Sequence, residues 1–345
     1  MKKNWFILWS VLFLAACNNK SNIPDVSGVK VNIQVQRFEN DFFSIDSNSI
    51  PNGLAFLDQK YPGFFPIFLG GVLGLPDSIT IREREVKRFL QMNRSIYDSS
   101  QVRHKDFDGV KKEFEKSFRF VKYYFPGYKE PKIITLIGPI DAMARMQNGD
   151  YTTNFLGPDF LGISLQFYLG KNFSIYQTEY FMNNVAPPYL SRRFEKEYIA
   201  ADAMKLVVDD LFPDKSTGKP LVEQMIEKGK QWWLLDKFMP ATPDSLKTGY
   251  TQKQSDWCKE NEGMIWNYFI TSENLEAIEP ETIQNYIGES PYTQGMPEAS
   301  PGNIGPWVGW QIIKKFVEKN PSLKPAELMK TPPRKILDEA KYKPK

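Results

Sequence analysis

The sequence predicts an α+β fold, mostly α, in which a small β-sheet or hairpin leads into a helical half. Three observations carry that prediction. Lys132 to Ile137 is a β-branched run of the kind found in buried strands. Tyr151 to Leu156 and Phe160 to Leu169 flank Gly157-Pro158-Asp159, a turn that would fold them into a hairpin. Beyond the hairpin, apolar residues recur at three- and four-residue spacing, the mark of helices with one buried face.

The chain opens with Lys2 and Lys3, an apolar stretch from Trp5 to Leu14, and then Leu14-Ala15-Ala16-Cys17. A positive start, a short apolar core and small residues ending on cysteine form a bacterial lipoprotein signal. Residues 1–16 would be removed, and the Cys17 thiol would carry a diacylglyceryl group. The apolar run falls short of the roughly 20 residues that span a bilayer. More than one acyl chain makes such an anchor stable where a single chain is marginal. Residues 17–28 read as a lipidated flexible tether, and 29–345 as a single globular domain.

Within that domain Val31, Ile33 and Val35 alternate with polar residues, which predicts a strand. A short helix is expected from Leu54 to Pro66, running into the loop Tyr61-Pro62-Gly63-Phe64. Helical spacing covers Ile81 to Tyr97 and Phe107 to Phe125, where Pro126-Gly127 stops the second. After the hairpin, helices are expected near 193–212, 219–238, 252–270, 306–319 and 333–341. Residues 286–305, rich in Gly, Pro and Ser, read as a long loop.

Composition excludes several classes of function. The formal net charge of +3 falls to +1 once Lys2 and Lys3 leave with the signal, so nucleic-acid binding has no electrostatic basis. One of two cysteines is taken by lipid, which excludes a disulfide framework and leaves Cys258 as a small helix-packing residue. The one histidine, His104, sits between Arg103 and Lys105 and reads as a solvated surface residue. A two-histidine zinc site is excluded, and neither a phosphate-cradling glycine loop nor a paired-cysteine motif is present. No catalytic residue, metal ligand or cofactor is assigned.

Candidate binding residues come from two helices. On the first, Ala200, Ala203, Met204, Val207, Val208 and Leu211 share a broad apolar face, while Glu195, Tyr198, Asp202, Lys205 and Asp209 line the other. That polar stripe is either a solvated face with an Asp202–Lys205 pair or the wall of a cleft. On the second, Gly302-Asn-Ile-Gly-Pro-Trp-Val-Gly-Trp310, Gly305 is placed to cap and Pro306 to open the helix. Trp310 falls on its apolar side. Trp307 falls beside Lys314 and Glu318, where it would cover a loop or meet a ligand or partner. Between these two helices, Gly229 lies in an apolar stripe, where close backbone contact with a neighbour would explain it. Asp236 falls near the end of the same stripe, either as a buried paired carboxylate or in a frayed last turn.

Taken in order, these features resemble the GldB family of gliding motility lipoproteins from Bacteroidota-type bacteria. The resemblance rests on the lipobox, Arg37-Phe38-Glu39 with Phe42-Phe43, and Tyr61-Pro62-Gly63-Phe64. It continues through Arg193-Phe194, Tyr198-Ile199 with Asp202, and Met225-Ile226 with Gly229-Lys230. Trp257, Trp266 and the run Gly302 to Gln311 complete it. It implies a lipid-anchored envelope protein, in the outer membrane facing the periplasm, that works beside gliding and secretion proteins. More distantly the family is similar to predicted zinc metallopeptidases, whose His-Glu-x-x-His helix would fall at Tyr198 to Asp202. This chain has neither histidine nor glutamate there, so the resemblance implies a zincin-like architecture without its metal site.

Overall fold

The computed structural model describes residues 23–145, 151–272 and 274–345. The signal, Cys17 and the first part of the tether lie outside the described residues.

A four-stranded mixed sheet forms in the order β1 (Val35–Arg37), β2 (Lys132–Leu136), β6 (Phe160–Ser164) and β5 (Phe155–Leu156). β1 and β2 run parallel, with Val35 opposite Ile133, and β2 and β6 run parallel, with Ile134 opposite Gly162. β5 and β6 are the expected hairpin, closed by the Gly157 N–H donating to the Phe160 carbonyl at 2.8 Å. The central strands are buried on both faces, which is why they read as continuous apolar runs without alternation. β6 stops at Ser164, and a 3-10 turn over Leu165–Phe167 follows in place of the longer strand expected. The first strand also falls later than the 31–35 alternation suggested, because pairing with β2 sets its limits. β3 (Ala144–Arg145) and β4 (Tyr151–Thr152) make a separate two-stranded ladder.

The first helical segments are α1 (Phe38–Phe43), α2 (Ile50–Lys60), α3 (Phe64–Ile67), α4 (Ile79–Met92), α5 (Arg94–Arg103) and α6 (Asp108–Tyr124). Past the sheet come α7 (Glu179–Asn184), α8 (Pro188–Ser191), α9 (Ile199–Leu211), α10 (Leu221–Phe238) and α11 (Asp244–Thr248). α12 (Gln252–Glu260), α13 (Glu262–Thr271), α14 (Pro280–Ile287), α15 (Ile304–Lys319), α16 (Pro325–Lys330) and α17 (Pro333–Ala340) finish the chain. The fold is therefore α+β and mostly α.

Two expected single helices are each broken in two by an asparagine. Asn93 donates its side-chain amide to the Phe89 carbonyl at 3.0 Å, and Asn261 does the same to Trp257 at 2.8 Å. Each asparagine leaves helical geometry, at φ −102° and φ −115°, and its amide joins its own backbone N–H on the carbonyl four residues back. The helix expected near 193–212 begins at Ile199, since Lys196–Tyr198 is a 3-10 turn, and the short α7 and α8 precede it without having been expected. The long loop is also shorter than expected, because α14 extends to Ile287 and α15 starts at Ile304.

α10 is buried nearly all round and crosses α15 at close range. A Cβ on Gly229 would lie 2.2 Å from the Gly309 carbonyl carbon, the backbone contact that its place in the stripe suggested. Gly305 lies inside α15 and is not its cap. Its face meets the Tyr286 carbonyl and the Met225 side chain, so it serves packing. The capping position belongs to Asn303, in the left-handed region at φ +59°.

The sheet is tied to α1 by a buried ion pair. Glu39, fully buried, meets Arg37 Nε at 2.5 Å and accepts from the Thr135 hydroxyl of β2 at 2.6 Å. Burial pushes the Glu39 carboxyl above its usual pKa, against the pull of Arg37. An aromatic cluster of Phe38, Phe42, Tyr61, Phe64 and Phe68 surrounds this junction.

His104 corrects the sequence expectation. It is fully buried, with Arg37 donating to its carbonyl at 2.9 Å, and among the described residues neither ring nitrogen has a hydrogen bond of good geometry. Polar neighbours in sequence hid this, because the end of α5 packs under Arg37 and Phe107. Desolvation, reinforced by Arg37 and Lys196, drives its pKa down to about 3, so the ring is neutral. Cys258 is a free, fully buried thiol pushed up to about 12 by burial.

Candidate functional site

The polar stripe of α9 faces a cleft of about 60 Å³. Asp202 and Lys205 rise from the first two turns of α9, and their side chains meet at 3.0 Å. Tyr168, just past the 3-10 turn, donates its hydroxyl to Asp202 Oδ2 at 3.3 Å and accepts from Asn154 Nδ2 at 2.8 Å. Burial, with the Asp202 charge beside it, raises the Tyr168 phenol well above its usual pKa, so it remains a neutral donor.

A second charged pair forms the facing wall. Arg193, just after α8, meets Glu289 at 3.2 Å, and each side chain is about one-sixth exposed. Burial works against the guanidinium charge, but Glu289 and Asp202 outweigh it and hold the Arg193 pKa above the usual value. Lys247 of α11 also lines the cleft and is nearly buried. It is bound by Asp236 and, at 3.0 Å, by Asp244. Asp236, the residue at the end of the α10 stripe, is thus a paired carboxylate and not part of a frayed turn.

Trp232 gives the cleft its aromatic surface and stands edge-on to Trp310 behind it. Asn303 closes the cleft at the start of α15. Its side-chain Oδ1 is buried with no hydrogen-bond partner among the described residues, and the residue is only 7 % exposed.

Of the residues singled out in the sequence, Asp202 lines this cleft. Tyr198 does not: it stands half-buried in the 3-10 turn before α9. Trp307 and Trp310 are both buried in the body of the protein, at 4 % and 3 % exposure. Arg193, Glu289, Lys247 and Asn303 complete the constellation, although the sequence names Arg193 and Asn303 only within segments of the family resemblance and not as site residues. They come from segments far apart in sequence, and only the Gly302-Asn303 pair carried a local signal, as a tolerant residue at a left-handed position. Among the described residues, no group of three or more His, Cys, Asp or Glu side chains is arranged to hold a metal ion, and no helix is long and apolar enough to cross a membrane.

The family model for gliding motility protein GldB matches residues 19–344. The chain belongs to the GldB family. No curated protein and no solved structure matches it. Several segments on which the GldB resemblance rests meet at the cleft: Arg193-Phe194, Asp202 and the start of Gly302 to Gln311. Others, Arg37 to Phe43 and Tyr61 to Phe64, build the aromatic junction at the sheet.

Proposed function

We propose that this GldB-family protein is a lipid-anchored component of the cell envelope that supports gliding motility without itself catalysing a reaction. The match to the GldB family along nearly the whole chain carries this reading. The lipobox at Leu14-Ala15-Ala16-Cys17 supports the anchor, and the family resemblance supports its placement in the outer membrane facing the periplasm. Its partners are then other gliding and secretion proteins of the envelope, and it acts in their assembly or operation. The cleft supports a non-catalytic role, because Asp202, Glu289 and Lys247 are each already engaged by an oppositely charged side chain. The zincin-like architecture belongs to the same proposal, with α9 and α10 as the helix pair that remains once the metal-binding residues are gone.

Asp202 and its Tyr168 hydrogen bond favour one second reading, a hydrolase with an acidic site that acts on peptides or peptidoglycan. Complementation of a gliding strain lacking the gene separates the two. The wild-type gene and Asp202→Asn should both restore spreading, and Cys17→Ser should not. Full rescue by Cys17→Ser would show the anchor to be dispensable. Loss of spreading in Asp202→Asn with unchanged thermal stability would favour the hydrolase.

A further inference from the structure

We propose that the cleft between Asp202 and Asn303 binds a carboxylate with an adjacent N–H donor, the pairing presented by a free amino acid or by the last residue of a peptide. The cleft carries unmatched groups of both kinds. Arg193 offers five N–H donors in a planar fork. Among the described residues its side chain makes one hydrogen bond, Nη1 to Glu289, and about one-sixth of its surface stays exposed. An open guanidinium fork is the group that binds a carboxylate through two parallel hydrogen bonds.

Asn303 supplies the opposite need. Among the described residues its side-chain Oδ1 accepts no hydrogen bond although the residue is over nine-tenths buried, and an unpartnered buried acceptor costs on the order of 1–3 kcal/mol. The backbone there is held at φ +59°, with its carbonyl fixed by the Tyr250 hydroxyl at 2.8 Å, so the side chain cannot be released by a simple backbone swing. A donor arriving with the ligand would satisfy it. The next residue begins α15, whose 16 residues place a positive helix end beside the same pocket and favour an anion.

Asp202 is held in place on the opposite wall by Lys205 and Tyr168, which donate to its two oxygens. The volume of about 60 Å³ admits a few water-sized groups, enough for a carboxylate and one amide but not for a large ligand. Trp232 and Leu190 leave apolar wall for a small side chain.

The test is titration calorimetry on the purified full-length chain with three probes: alanine, N-acetylalanine and alaninamide. Binding of alanine or N-acetylalanine but not alaninamide is expected. N-acetylalanine alone would identify a peptide end as the ligand, and alanine alone a free amino acid. Arg193→Gln should weaken binding at least tenfold. Should that variant fail to fold, Asn303→Gly decides the matter, since glycine adopts the left-handed position freely and keeps the fold. It should lower affinity about tenfold at unchanged melting temperature. Silence of all three probes at millimolar concentration, preference for alaninamide, or an unaltered isotherm in Asn303→Gly would overturn the proposal. The readout is binding in solution, so its failure leaves the motility reading intact.

Discussion

Gly229 of α10 and Gly309 of α15 meet backbone to backbone. A Cβ on Gly309 would fall 1.8 Å from the Met225 carbonyl oxygen, and one on Gly229 would fall 2.5 Å from the Trp310 nitrogen. Neither neighbour is a side chain that could turn aside, so the two helices would have to separate. Gly229→Ala and Gly309→Ala are each expected to lose about 3 kcal/mol or more in urea unfolding. Gly109→Ala is the control: nothing lies within 4 Å of its Cβ, and α6 should gain up to about 1 kcal/mol.

The Arg37–Glu39–Thr135 contact predicts a marked asymmetry between single and double substitution. Glu39→Ala leaves Arg37 largely buried without its counter-charge and should cost roughly 3 kcal/mol. Replacing both partners together, as Arg37→Met with Glu39→Leu, should cost less than that single change. A double substitution at least as damaging as Glu39→Ala would show that the pair is net stabilising.

His104 predicts acid sensitivity. Its folded pKa, lowered to about 3, lies below the value near 6.5 of an unfolded histidine, so the unfolded chain binds a proton first. Its contribution to stability is complete above pH 6.5 and is lost as pH falls toward about 3. His104→Phe should remove up to about 1.4 kcal/mol per pH unit from the slope of unfolding free energy in that window. Unfolding curves collected at several pH values for the two proteins would read this directly.

Asp202→Asn should leave the fold almost unchanged. The Asp202–Lys205 pair is more than a quarter exposed on each side, where such pairs contribute about 0–1 kcal/mol. Tyr168 keeps its hydrogen bond from Asn154. A shift of the calorimetric melting temperature beyond a few degrees would mean that Asp202 holds the cleft walls together.

The parts of this fold legible in the sequence were those set by local patterns. The β2 run, the Gly157-Pro158-Asp159 hairpin and the α10 stripe each declare themselves within a short window, and Gly229 announced a close helix contact by being costly where it stood. The helix breaks at Asn93 and Asn261 were missed because a single residue leaves helical geometry inside an otherwise good helical pattern. His104 was misplaced because burial came from Arg37 and Phe107 and not from its sequence neighbours. In the cleft, the Asp202–Lys205 pair was readable from helical spacing. Its facing partners Arg193, Glu289 and Asn303 were not, since they come together only after the sheet and helices have packed.

The sheet also fixes an order of events. β1 lies near the start of the chain, yet its parallel partner β2 comes about a hundred residues later, and β2 in turn waits for β6. A chain threading out from its first residue therefore cannot complete its first strand early; Val35 must remain unpaired until Ile133 has emerged. Such distant closure makes folding slow compared with that of a helical bundle, and it leaves the β1 segment exposed until its partner is in place.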